Sequence, residues 1–236
     1  MLLKAFFTYL LNDFTGNAYV YAYGAPSNPH TLPFWPNRAL LVWTFWIRTW
    51  LQLDMAHSLV AAGTTLWGVY SPRDWPPMFG LPWDLWTLRR FWGQTWHQLQ
   101  RRPLSSIGIA TARGLGFRKG TMASRYTQLY VAFAISGLIH AGGATMAIYH
   151  DMGTLRFFIL QALAITTEDI VIAVAKKLGF RAGLFGKLVG YLWVAAWMAW
   201  SGDHWVAEKI AVGTYQLPGF VPYSFAEWFG IHGGSK

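Results

Sequence analysis

Charge disappears from the chain between Tyr126 and Tyr149. That stretch holds no Asp, Glu, Lys or Arg, and its length suits one passage through a bilayer. Two further apolar runs predict spans over about 155–175 and 188–205. Upstream, Ala39 to Tyr70 is apolar for longer than one span needs and contains Arg48, Asp54 and His57. It reads as a tilted helix from about Thr49 to Tyr70, preceded by an interfacial piece carrying Trp43 and Trp46. Residues 2–12 are apolar but too short to cross alone, so they read as an interfacial segment or the end of a longer helix.

Prolines punctuate these runs. Pro26, Pro29, Pro33 and Pro36 mark a loop over 24–37, and 71–84 is a second proline-rich turn region. From Leu85 to Arg102 the pattern changes. Leu85, Leu88, Trp92, Trp96 and Leu99 recur at helical spacing, while Arg89, Arg90, Gln94, Gln98 and Arg101 fall largely off that face. The expectation is an amphipathic helix at the membrane surface, stopped by Pro103, with 104–125 as a Gly- and Arg-containing connector.

Composition strengthens the membrane reading. Only 12% of residues are charged against about 25% in ordinary soluble domains, 54% are hydrophobic, and the mean hydropathy is +0.26. The chain has 15 Trp, 16 Phe and 11 Tyr, in keeping with interfacial aromatic belts. The fold class expected is therefore all-α: a multi-pass integral membrane helical bundle, with 1–236 forming a single membrane domain. Basic residues are dense over 71–125, sparse near 150–156, dense again over 176–187 and sparse in the tail. That alternation assigns 71–125 and 176–187 to the cytosolic side. The net charge of +9 then reflects topology and anionic lipid or ligand contact rather than nucleic-acid binding. Cysteine is absent, which excludes a thiolate nucleophile or thiolate metal site. The N-terminus lacks a small-residue cleavage site and is not read as a signal peptide.

The chemistry-bearing residues stand out against this background. An imidazole in mid-membrane is costly, which makes His140 the leading functional candidate. Gly137, Gly142 and Gly143 flank it and leave room for a second backbone or a substrate. Shielding from water would hold that imidazole neutral, as a general base requires. Of the other histidines, His57 lies in an apolar run, His97 beside Trp96 on the amphipathic segment, and His150 and His204 near helix ends. Glu168 and Asp169 are adjacent, so on a helix they point about 100 degrees apart and do not form a paired acid–base site. Pairing with an arginine or orienting a histidine suits them better, and Asp54 is spaced to reach His57. The dyads Arg89–Arg90 and Arg101–Arg102 suit phosphates, of lipid or of coenzyme A. No metal-protease, nucleotide-loop, nucleophile-elbow or dinucleotide fingerprint occurs. From the residues alone, three classes stay open. They are an enzyme with a histidine base, a haem carrier with axial pairs such as His57–His140 or His140–His204, and a transporter with Asp54, His57, Glu168 and Asp169 as a relay.

Two motifs narrow the field. Trp83 is followed by Thr87-Leu88-Arg89-Arg90-Phe91-Trp92-Gly93-Gln94-Thr95-Trp96-His97, and Ser136-Gly137-Leu138-Ile139-His140 comes in the next span. In this order and separation they resemble the wax synthase-like branch of the membrane-bound O-acyltransferases, most closely fungal acetyltransferases that act on terpenoids and meroterpenoids. The resemblance covers about 71–150 closely and 150–205 by hydropathy. It implies a helical membrane chamber, with His140 at the family's essential histidine and His97 at a position that is His or Asn in relatives. It further implies acetyl-CoA as co-substrate, no bound cofactor or metal, a hydrophobic alcohol as acceptor, and residence in the endoplasmic reticulum. A long-chain wax-ester synthase is the alternative within the same family. Arg89, Arg90, Arg101 and Arg102 become candidate coenzyme A contacts, and Trp92 and Trp96 candidate substrate contacts. Relatives carry more helices upstream, so a shortened member or a fragment is expected. Many have an acidic residue after the span histidine, where Ala141 stands here.

Overall fold

The computed structural model describes residues 1–23, 34–148, 153–180, 183–211 and 224–230, and every regular element among them is helical. In chain order these are α1 (Leu2–Tyr23), α2 (Ala39–Leu66), α3 (Leu88–Arg90), α4 (Arg101–Gly114), α5 (Met122–Ile148), α6 (Thr154–Lys177), α7 (Leu184–Ala211) and α8 (Phe225–Trp228). Backbone contacts divide the chain into two compact units, Met1–Met78 with Val206–Lys236, and Phe79–Trp205.

In the first unit α1 lies along α2. Buried carboxylates tie α1 to both α2 and α8. Lys4 Nζ sits 2.7 Å from Asp54 Oδ1, so Asp54 is taken by a lysine of α1 rather than by His57. Asp13 accepts both Ser224 Oγ and the Ala226 amide at 2.8 Å, which caps the short α8. The interfacial piece and the span expected within 39–70 form one continuous helix, α2. Residues 2–12 are likewise the first half of the longer α1.

The second unit is built on the antiparallel pair α5 and α6. Contacts run in opposite sense along the two helices, from Tyr126 with Asp169, through Tyr130 with Thr166, to His140 with Phe158. These are the two helices long and apolar enough to cross a membrane among the described residues. Their outward side chains, including Leu138, Ile139, Leu163, Ile170 and Val171, are exposed, as a lipid-facing surface requires. In α2 the charges of Arg48 and Asp54, and in α7 the Gly, Trp and Asp203, dilute the apolar character. Along the 184–205 part of α7, three indole N–H groups bond to α6: Trp193 to Glu168 at 2.9 Å, Trp197 to the fully buried Gln161 at 2.9 Å, and Trp205 to Thr154 at 3.0 Å. Interhelical hydrogen bonds of this kind hold helices together where no hydrophobic force separates protein from lipid.

The segment 85–125 departs from its pattern. The expected helix over 85–102 is broken into pieces. Thr87 Oγ1 accepts the Arg90 amide at 3.1 Å and starts the single turn α3. The chain then widens into a π turn over Phe91–Thr95, extends at Trp96 and turns left-handed at His97. Pro103 does not stop a helix but sits in the first turn of α4, where its missing N–H has no helical partner to lose. Half of the expected connector over 104–125 is therefore α4, packed on α5.

Candidate active site

Both motifs belong to the second unit, and aromatic rings join them. His140 stacks on Phe158, with ring centroids 5.0 Å apart and planes within 11°. Phe158 lies 6.1 Å from Trp92, and Trp92 lies 6.4 Å from Trp96. Trp96 meets Phe79 at 5.4 Å, and Phe79 meets the His97 ring at 6.3 Å. Phe91, Phe133, Phe157 and Trp205 pack around this line of rings. The apolar stripe at 88, 92 and 96 thus serves as an aromatic wall between α3 and the α5–α6 pair, and this explains why the segment abandons a regular helix. Edge-to-face and offset ring geometry sets the backbone, with each such pair contributing about 0.5–1.5 kcal/mol beyond area.

Local backbone geometry aims each histidine. Gly137, one turn before His140, lets α5 and α6 approach closely: a Cβ there would lie 2.9 Å from Leu155 Cδ1 and 3.1 Å from Phe158 Cβ. Gly142 and Gly143 face open space. His140 itself is exposed, with one ring face covered by Phe158 and the Trp205 edge 6.4 Å away. This corrects the expectation of a shielded imidazole. Lining by a second helix covers one face and leaves the residue reachable, which is what a base that must meet a substrate hydroxyl needs.

His97 has φ 41° and ψ 60°, making it the one non-glycine residue with positive φ among the described residues. Asn and His are among the side chains enriched in that region, and these are the two types the resemblance expects there. Strain of this sort costs about 1–3 kcal/mol and gathers at functional sites. Burial pushes the His97 imidazole below its ordinary value, so it is neutral at pH 7. It is half-buried, within reach of a ligand.

The four arginines separate into two groups. Arg89 forks onto Asp169 at 3.0 and 2.5 Å. Arg90 reaches Asp84 Oδ1 at 2.5 Å and lies 3.9 Å from the centre of the Trp86 ring. Both guanidiniums are held by carboxylates of the fold. Arg101 and Arg102 open α4 and are exposed. Glu168 accepts the amides of Leu88 and Arg89 and the indole of Trp193, so it neither orients a histidine nor forms a relay. His57 packs against Trp75 in the first unit. His150 lies outside the described residues, and His204 lies against Gly153. Sequence reasoning missed the roles of Phe158 and Thr87. Thr87 carried a readable signal, a hydroxyl residue just before Leu-Arg-Arg; Phe158 carried none.

The stretch that contains this site matches a family model, described as the membrane bound O-acyl transferase family, over residues 75–160. That range holds the aromatic wall, both histidines and Phe158. Residues 75–160 are similar to that family. Acetyltransferase ple2 of Rhodocybe pseudopiperita is 38% identical to this chain over 174 residues, which is 70% of this chain and 46% of ple2. Acetyltransferase aurG of Calcarisporium arbuscula is 34% identical over 186 residues, 77% of this chain and 45% of aurG. Acetyltransferase sirH of Leptosphaeria maculans is 33% identical over 187 residues, 78% of this chain and 46% of sirH. The chain spans a little under half the length of these relatives. No solved structure matches it.

Proposed function

We propose that this chain carries the acyl-transfer site of a multi-pass membrane O-acetyltransferase of the endoplasmic reticulum. The reaction moves acetyl from acetyl-CoA to a hydroxyl of a terpenoid or meroterpenoid. One observation carries the reading: the two motif histidines lie at the two ends of one continuous set of ring contacts in a single compact unit. The names of the fungal acetyltransferases that share the segment support it.

In this reading the acceptor alcohol comes from the bilayer to the open face of His140, beside Gly142 and Gly143. His140 takes the hydroxyl proton as the oxygen attacks the thioester carbonyl. The tetrahedral intermediate collapses, the C–S bond breaks, and the coenzyme A thiolate recovers a proton from the imidazolium. His97, held in a fixed left-handed turn, and the neighbouring Trp96 indole orient the acyl group at the other end of the ring contacts. Arg101 and Arg102 meet the coenzyme A phosphates from the cytosolic side. Trp92 and Trp96 form the wall along which the apolar acceptor lies. A long-chain wax-ester synthase would use the same residues with a longer acyl donor, and donor chain length separates the two.

The test uses membranes containing this chain, labelled acetyl-CoA and a panel of terpenoid alcohols, read by mass spectrometry for an added acetyl group. His140→Ala should lower turnover by about 10²–10⁴-fold, the usual contribution of a positioned base. Undiminished turnover removes the mechanism.

A further inference from the structure

We propose that Glu168 and Asp169 on α6 are positioning residues that fasten α3, and with it the aromatic wall and His97, at a fixed distance from His140. The inference rests on the acyl-transfer reading for its effect on turnover, and on geometry alone for the clamp.

A helix as short as α3 begins with amides that have no helical partner. Glu168 takes two of them. The Leu88 amide donates to Oε2 at 2.7 Å and the Arg89 amide to Oε1 at 3.2 Å. The Trp193 indole of α7 adds a third bond, to Oε2 at 2.9 Å. One residue later, Asp169 receives the Arg89 side chain through both Nε and Nη2. The Tyr126 hydroxyl of α5 donates to the same carboxylate at 3.1 Å, and Arg125 lies 3.7 Å away. Successive residues of a helix point about 100 degrees apart. One turn of α6 can therefore grip the backbone of α3 with one carboxylate and its side chain with the other. That accounts for two adjacent acids in an apolar helix, where unpaired charge is costly.

The clamp bears on chemistry because α6 holds both ends of the site. Phe158, which stacks on His140, lies ten residues before Glu168 on the same helix, about 15 Å along its axis at 1.5 Å per residue. From α3 the chain runs directly into Trp92, which returns to Phe158. Chain closure between clamp and ring contact thus leaves the wall little freedom. Tyr191 and Gly190 of α7 press the preceding turn into place, through a 2.6 Å bond from the Tyr191 hydroxyl to the Trp83 carbonyl and the close approach of Gly190 to the Trp86 carbonyl.

The alternative assigns Arg89 to the acyl donor, and the two assignments differ in what they read out. Glu168→Ala, Glu168→Gln, Asp169→Asn, Arg89→Lys and Arg89→Ala are compared with the unaltered chain in nanodiscs, with His140→Ala as control. With a clamp, Glu168→Ala, Asp169→Asn and Arg89→Ala each lower kcat at least tenfold and change KM for acetyl-CoA less than twofold. Glu168→Gln, which keeps one accepting oxygen but turns an NH2 toward the second amide, recovers part of the loss. If Arg89→Ala raises KM alone while Asp169→Asn is silent, the clamp is overturned and Arg89 belongs to the donor. Hydrogen exchange at the Leu88 and Arg89 amides gives an answer that needs no turnover. These amides should exchange at least tenfold faster in Glu168→Ala, and measurably faster in Glu168→Gln, with α5 unchanged. Unaltered exchange in both variants overturns the clamp. Loss of acetyl transfer's dependence on His140, with the exchange result intact, overturns the acyl-transfer reading and leaves the clamp standing.

Discussion

Gly137→Ala tests the claim that the α5–α6 approach sets His140, and the same helix supplies its own controls. At 137 the added methyl meets Leu155 Cδ1 at 2.9 Å and Phe158 Cβ at 3.1 Å, whereas at 142 and 143 it meets nothing within 4 Å. The Leu155 methyl can swing away. The Phe158 Cβ is fixed by its backbone, so the helices must part by a few tenths of an ångström. Overpacking of this kind costs about 1–3 kcal/mol, offset by about 1 kcal/mol from replacing a helical glycine. The net is about 0–2 kcal/mol lost at 137, against about 1 kcal/mol gained at 143, where only the second contribution acts. Function should fall more than stability. Gly137 and His140 are three apart on one face, and Phe158 touches both the new methyl and the imidazole. Misplacement by an ångström can cost about 10²-fold in rate, so a shift of a few tenths predicts a loss of roughly threefold to tenfold. Thermal unfolding in detergent and acetyl transfer in nanodiscs, measured on Gly137→Ala and Gly143→Ala together, give both quantities. Equal stability and equal turnover for the two variants would refute the reasoning.

Phe158→Leu keeps an apolar side chain, at some loss of volume, but removes the stacked ring, worth about 0.5–1.5 kcal/mol in orientation. Turnover should drop about threefold to tenfold with KM for acetyl-CoA unchanged, and an unchanged kcat would show that the ring does not orient His140. His97 has its pKa lowered by burial, so between its folded value and about 6.5 the unfolded chain binds the extra proton. Stability is full above that range and declines as pH falls through it. His97→Asn should unfold with a flatter acid dependence, measured from pH 7.5 to 5. His97→Ala should be less stable than His97→Gly by about 1 kcal/mol, because only the glycine accepts the left-handed turn without strain. Replacing Arg101 and Arg102 by Ala should raise KM for acetyl-CoA about threefold to tenfold and leave kcat alone; a pure kcat effect would remove them from the donor site.

The span from Tyr126 was the plainest in the sequence because it carries no charge, whereas 155–175 holds Arg156, Glu168 and Asp169 and 188–205 holds Asp203 among otherwise apolar residues. The run from Tyr126, as far as the described residues reach at Ile148, and the runs at 155–175 and 188–205 lie in α5, α6 and α7, of which α5 and α6 are long and apolar enough to cross a membrane among the described residues. Trp92 and Trp96 stood at helical spacing, yet their rings are placed by Phe158, Phe91 and Phe79, residues that no local pattern connects to them. That is why a helix legible over 85–102 breaks at 91–97. Pro103 was ambiguous for a simple reason: proline suits the first turn of a helix as well as the end of one. The partners of Arg89 lie 80 residues downstream, beyond any window of periodicity. The adjacency of Glu168 and Asp169 did signal a structural pairing, and the structure supplies the arginine.

The ten-residue stretch of α6 between Phe158 and Glu168 fixes a spacing that cannot drift. Inserting one residue there would rotate one anchor by about 100 degrees and slide it by about 1.5 Å, turning either the ring or the carboxylate toward lipid. Insertions should therefore be tolerated in the exposed turn between α4 and α5, and excluded from this interval. A collection of functional homologues would then vary freely in loop length while holding this one count constant.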